Sequence, residues 1–242
     1  MRSQPRRSCA ARARFNPMPT EDLIAIYRGV RSRVTELVRD LDDASLERTS
    51  PATPLWTVHD VLAHLVGDVT DVVDGNLEGV ASDAWTQAQV DRRRGVAVAD
   101  LLEEWERGAP VVESVLDGID PLMQTMFLTD AVTHEHDIRH AIDRPGARDS
   151  DAIAFSYGRV VIGLGIARGD AGALRVVHDD GEDLLGGGPV TATVRTTRFE
   201  VVRAAVGRRS TEEISGWDWE GEPAPAAFVD RKSTRLNSSH RT

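Results

Sequence analysis

A single cysteine, Cys9, stands in 242 residues. One thiol excludes an internal disulfide framework and points to a reducing, cytoplasmic setting. No apolar run approaches the roughly 20 residues that a bilayer-spanning helix needs, so no membrane partner is expected. The basic N-terminus is not followed by the apolar stretch that a secretory signal requires. Positive charge is scarce over most of the chain. The net charge is −10, yet residues 1–17 carry five arginines and no acid, and residues 231–242 carry three arginines, one lysine and no acid. The stretch between them holds 20 basic and 39 acidic residues. Such a body repels phosphates and anionic lipid, which argues against nucleic acid as a partner. A phosphate-cradling loop is also missing. Gly186-Gly187-Gly188 lacks the strand-to-helix setting and the lysine of a P-loop.

What is present divides into four stretches. Residues 1–17 show no apolar periodicity and read as a disordered or mis-started leader, with Met18 opening a better start. Residues 18–170 read as a helical bundle. Thr20 caps a first helix with Glu21 and Asp22 in its first turn, and Leu23, Ile26, Tyr27, Val30, Val34, Leu37 and Val38 recur at helical spacing. Further helices are expected over about 57–78, 98–117, 121–143 and from Ser150 to Gly169. Residues 79–97 read as a loop. Residues 171–230 change character, with short β-branched runs at 174–178 and 190–194, a helix behind Thr197 and a last strand at Trp217-Asp218-Trp219. This is a small α/β unit that needs docking onto the helices. The tail RKSTRLNSSHRT, 231–242, fits nothing before it and reads as non-native. The fold class is α+β.

The chemistry gathers in the fourth long helix, in Asp130-Ala-Val-Thr-His134-Glu-His-Asp-Ile-Arg-His140. A helix turns about 100° per residue, so Asp130, Phe127, Met123, Ile138 and Ala141 all fall within about 40° of His134. Asp130 and His134 thus share the apolar, inward stripe. His136 and His140 fall about 160° and 120° away, toward solvent or a neighbouring element. A carboxylate on a buried stripe needs a counter-charge or strong hydrogen bonds. A divalent cation meets that need, and a plain Asp–His pair meets it as well. His136 with His140 is a competing i, i+4 pair. On the second long helix, His64 lies opposite the apolar face of Leu62, Val66, Val69 and Val73. Alone, a histidine there is an ordinary surface residue. If that face lines a cavity against Asp130 and His134, the three make a two-histidine, one-carboxylate set that suits zinc, with nickel or iron as alternatives. Asp68 is then a natural outer partner for His64. Arg203, Arg208 and Arg209 surround a helix end late in the chain. Arg203 and Arg208 are candidates to clamp a substrate carboxylate, or else arginines offsetting an acidic body.

These same residues carry a family likeness. WTVHDVLAHL resembles the motif that opens the second helix of DinB-like and mycothiol-dependent maleylpyruvate isomerase-like proteins. THEHDIRHAI, followed by Arg-Pro-Gly, resembles their later ligand-bearing helix, and FEVVRAAVGRRS with WDWEGEPAP resembles their small C-terminal domain. The resemblance covers about residues 18–228 and implies a DinB-like up-down helical bundle followed by a small α/β domain. It implies metal ligands at His64, Asp130 and His134. Aspartate at 130 replaces the longer glutamate of the well-known isomerase. It also implies mycothiol as a thiol cosubstrate and a small-molecule electrophile, which the arginines would suit if it bears a carboxylate. A thiolate adding to a double bond, allowing rotation and leaving gives cis–trans isomerisation. A thiolate that stays attached gives S-transfer. The alternative is a non-enzymatic metal-binding or regulatory protein of the same fold. No oligomeric state is implied.

Overall fold

The computed structural model describes residues 20–116 and 118–229. Cys9, the basic leader and the 231–242 tail lie outside the described residues.

The first helix, α1 (Thr20–Val38), buries the stripe expected of it: Leu23, Ile26, Tyr27, Val30, Val34, Leu37 and Val38. A single turn, α2 (Asp43–Leu46), is capped by Asp42. The Ser/Thr/Pro-rich loop that follows folds back as an antiparallel ribbon of β1 (Thr49–Ser50) and β2 (Thr53–Thr57). The ribbon delivers Thr57 as N-cap of α3 (Val58–Asp74), in a reciprocal capping box with Asp60. The helix ends at Gly75 in the left-handed region, φ 69°.

Next comes a departure from the expected loop. Residues 83–92 form α4 (Asp83–Arg92), capped by Ser82. Its sequence has little apolar periodicity, because only Gln89 and Val90 are buried. Polar Gln89 is one of the two anchors, so a search for an apolar stripe passes the helix by. Three longer helices follow: α5 (Val98–Val115), α6 (Pro121–Ala141) and α7 (Asp151–Arg168). Asp120 caps α6, with Pro121 at its first position. Trp105 on α5 is fully buried and donates its indole N–H to the Tyr27 hydroxyl at 2.8 Å, tying α5 to α1.

At the centre lies α3. It packs on α5, α4 and α6, so residues from Val58 to Asp71 are buried on nearly every side. That is why His64, opposite the helix's apolar face, is not at the surface. The face is covered by α4 and α6.

Chain direction reverses after α7 into a four-stranded sheet. Strands β3 (Ala173–His178) and β4 (Gly181–Leu185) form a hairpin, β5 (Val190–Arg195) lies parallel to β3 on its other side, and β6 (Asp218–Gly221) closes the order β4-β3-β5-β6. The crossing from β4 to β5 needs Gly186, at φ 81°, where a Cβ would stand 2.8 Å from the Gly169 carbonyl oxygen. Helix α8 (Arg198–Ala205) is capped by Thr197, and α9 (Thr211–Ser215) by Ser210 with Glu213. Both α8 and β4 pack on α7. The docked unit shares one continuous apolar core with the bundle, which runs through Leu174, Val176, Val194 and Phe228. The architecture is α+β, a helical bundle with a smaller C-terminal unit.

Candidate metal centre

Three side chains from two distant stretches meet. His64 Nε2 lies 3.2 Å from one oxygen of Asp130, and His134 Nε2 lies 3.5 Å from the other. One ligand atom from each residue falls within 4.8 Å of the rest. The two imidazoles stand edge to face with centroids 4.8 Å apart. Trp56, delivered by β2, covers both rings at 5.3 and 6.0 Å. Both histidines are buried, whereas the Asp130 side chain is 37% exposed toward a cavity of about 640 Å³ that all three residues line.

Each imidazole is oriented from behind. Gln89 Nε2 donates to Asp68 at 3.0 Å and to Asp71 at 2.9 Å, so its carbonyl oxygen must face His64. That oxygen lies 2.7 Å from His64 Nδ1. Nδ1 therefore carries a proton, and Nε2 is the nitrogen turned toward Asp130. Behind His134, Nδ1 lies 3.2 Å from Asp137 Oδ2, close enough for charge attraction but poorly aligned as a hydrogen bond. Asp137 is itself fully buried and held by Arg203 at 2.7 Å and by two Arg208 nitrogens at 3.1 and 3.2 Å.

Electrostatics follow the geometry. Burial pulls the His64 pKa down, but Asp68 and Asp130 outweigh it and lift it to about 9. Burial raises Asp68 to about 7, even against His64. Burial would raise Asp130 too, yet His134 and His64 hold its carboxyl well below the usual carboxylate range. Asp137 is likewise held low, by Arg208 and Arg203 against burial. The site is a buried cluster of alternating charge, which is the setting in which a cation can replace protons.

The remaining candidates fall elsewhere. His136 does not reach solvent. It packs edge-on against Phe199 of α8 at 4.7 Å, and burial, with Arg203 and Arg139, pushes its pKa down to about 3. His140 is exposed, so the two do not form a shared pair. Arg203 does not face the cavity. It is 2% exposed and spends its guanidinium on Asp137 and the Thr133 carbonyl oxygen, so the carboxylate it grips is the protein's own. Arg208 does line the cavity. Arg209 is paired bidentately with Glu200. Sequence reasoning missed Gln89 and Asp137. The Ser82 cap was a readable signal for the helix that carries Gln89.

A glycine makes the Gln89 contact fit. A Cβ on Gly67 would stand 2.5 Å from Gln89 Cβ and 2.8 Å from its Cγ. Gly67→Ala is therefore expected to push α4 off α3. The predicted result is a loss of about 1–3 kcal/mol of stability and of roughly 10- to 100-fold in metal affinity as His64 loses its support. Urea unfolding and zinc titration of the variant check both.

Fold and donor set together define a class, namely an α+β protein whose helical bundle brings two histidines and a carboxylate to the wall of a cavity. Residues 27–139 match the family model of the mycothiol maleylpyruvate isomerase N-terminal domain. A crystal structure of the mycothiol-dependent maleylpyruvate isomerase is similar in fold, with a TM-score of 0.59 at 13% identity, over 86% of this chain and 97% of that one. A histidine-to-alanine mutant of that isomerase gives 0.56 at the same identity and coverage. No curated protein matches the chain in sequence.

Proposed function

We propose that the chain is a divalent-metal-dependent enzyme that uses mycothiol to add a thiol to an electrophilic small molecule, as a cis–trans isomerase or an S-transferase. The observation that carries this reading is the convergence of His64 Nε2, Asp130 and His134 Nε2 on one cavity wall. Two imidazoles and one carboxylate suit zinc first, and nickel or iron next. A cation held there supplies positive charge that stabilises a thiolate near neutral pH. The chain's own residues prepare the place. Gln89 fixes His64 with Nε2 forward, Asp137 stands behind His134, and Trp56 keeps water from one side of both rings. Arg203 acts through Asp137 as a positioning residue. Arg208 has five N–H donors and spends three, on Asp137 and the Val206 carbonyl oxygen, which leaves two for a substrate carboxylate. Mycothiol as the thiol source is supported by the family's description and by the similar crystal structure.

A non-enzymatic metal-binding module would be expected to close its site, whereas this donor set opens on a large cavity. The test is thiol addition to activated alkenes, with mycothiol and with other thiols, before and after chelation. Activity that vanishes on chelation and returns with zinc is the expected result. Activity indifferent to metal, or absent with every thiol, would overturn the proposal.

A further inference from the structure

Resting on that reading, we infer that the electrophile carries an extended apolar body and at most one charged end, rather than being a compact diacid. His64, Asp68, Asp130 and His134 form one polar cluster in the cavity wall. Much of the remaining wall is hydrocarbon from three helices, Val72 of α3, Val112 of α5, Leu116 just beyond it, and Met123 and Phe127 of α6, with threonine hydroxyls between. Apolar surface continues to the rim. Leu55, Leu77, Val115 and Met126 all line the cavity and are 37% to 57% exposed. Single exposed aliphatic residues are ordinary, but five lining one cavity, these four and Val80, mark a surface kept for an apolar ligand. The volume of about 640 Å³ lies within the range that encloses a drug-sized molecule. Two methionines in the wall let it adapt to more than one shape.

Charge on the wall is limited and engaged. Besides the donor cluster, the charged lining residues are Asp83, Arg159 and Arg208. Arg208 is gripped by Asp137, and the Arg159 guanidinium lies over the Phe155 ring at 5.1 Å. One carboxylate can take the two free donors of Arg208. A second would have to draw Arg159 from Phe155 or sit against valine, leucine and methionine, where burying an unpaired charge is strongly unfavourable. A small molecule is the occupant that fits, because the chamber ends on the donor cluster where reaction would occur.

The experiment uses the zinc-loaded full chain with mycothiol and a ladder of methyl, butyl and hexyl acrylates, whose reactive head is constant. The sulfur bonds to the β-carbon, the alkene π pair moves to the α-carbon, and that carbon takes up a proton, so thiol and alkene give one adduct. KM is expected to fall about fourfold per added methylene over the first few carbons. Met126→Glu, at the exposed rim, should weaken the hexyl ester and spare the methyl ester. A second arm titrates the neutral fluorophore N-phenyl-1-naphthylamine into unmodified and His64→Ala protein, with hexyl acrylate as competitor. The fluorophore should bind both, since it needs no metal, so a failure of the enzymatic reading leaves this binding intact. A flat chain-length response, or no fluorophore binding, overturns the inference even if zinc is present. So does fluorophore binding that Met126→Glu leaves untouched, or a dimer on gel filtration that Met126→Glu dissociates.

Discussion

Arg203→Met is expected to cost about 3–5 kcal/mol of folding stability, the scale for removing one partner of a buried ion pair. Arg203 is 2% exposed and Asp137 is fully buried, so neither charge has water to fall back on. Methionine restores much of the volume but leaves the carboxylate with Arg208 alone and takes a second donor from the Thr133 carbonyl oxygen, which keeps its helix bond. A shift of about 2–4 °C in Tm per kcal/mol for a chain of this size makes the loss visible as a drop of about 10 °C. Pairing the change with Asp137→Leu should recover part of it, because an apolar pair of similar volume avoids the stranded charge. A single variant as stable as the unmodified protein would show that the pair has no net value. The same variant should bind zinc more weakly, since Asp137 stands 3.2 Å behind His134.

His64→Ala is expected to remove bound metal while the bundle stays folded. Elemental analysis after dialysis should fall from about one zinc per chain to near none, with far-UV circular dichroism unchanged. The reasoning is geometric. Asp130 and His134 are one turn apart on a single helix and would hold a cation from one side only, whereas His64 brings a donor from α3. Zinc retained at full occupancy would mean that the cation sits elsewhere. Loss of helical signal would mean that the imidazole serves the fold through Gln89 rather than the metal.

Much of this was legible beforehand, for physical reasons. The apolar stripe of α1, the helix starts near Thr57 and Ser150 and the one behind Thr197 are local signals, and local signals survive folding. Asp130 and His134 were placed together because helix geometry fixes an i, i+4 pair. His64 was harder. Its partners lie 25 and 66 positions away, and only the family likeness put it in the site. Helix α4 hides in the sequence because its key contact is a polar one, made by Gln89. The role of Arg203 was misplaced for a related reason. An arginine beside a helix end looks available in sequence, and nothing local reveals a buried aspartate 66 positions earlier. Angle alone turns His136 toward solvent or a neighbouring element, and the docked α8 is that neighbour.

The grip of Arg203 and Arg208 on Asp137 has a consequence for anyone dissecting the molecule. The family model ends at residue 139, which invites expression of the bundle by itself. Cutting there would strip a dry acidic group of both its cations and, by removing α7, uncover the faces of α1 and α6 on which it packs. What looks like a modular boundary in sequence is a thermodynamic seam, and a fragment trimmed to it should be a poor stand-in for the whole.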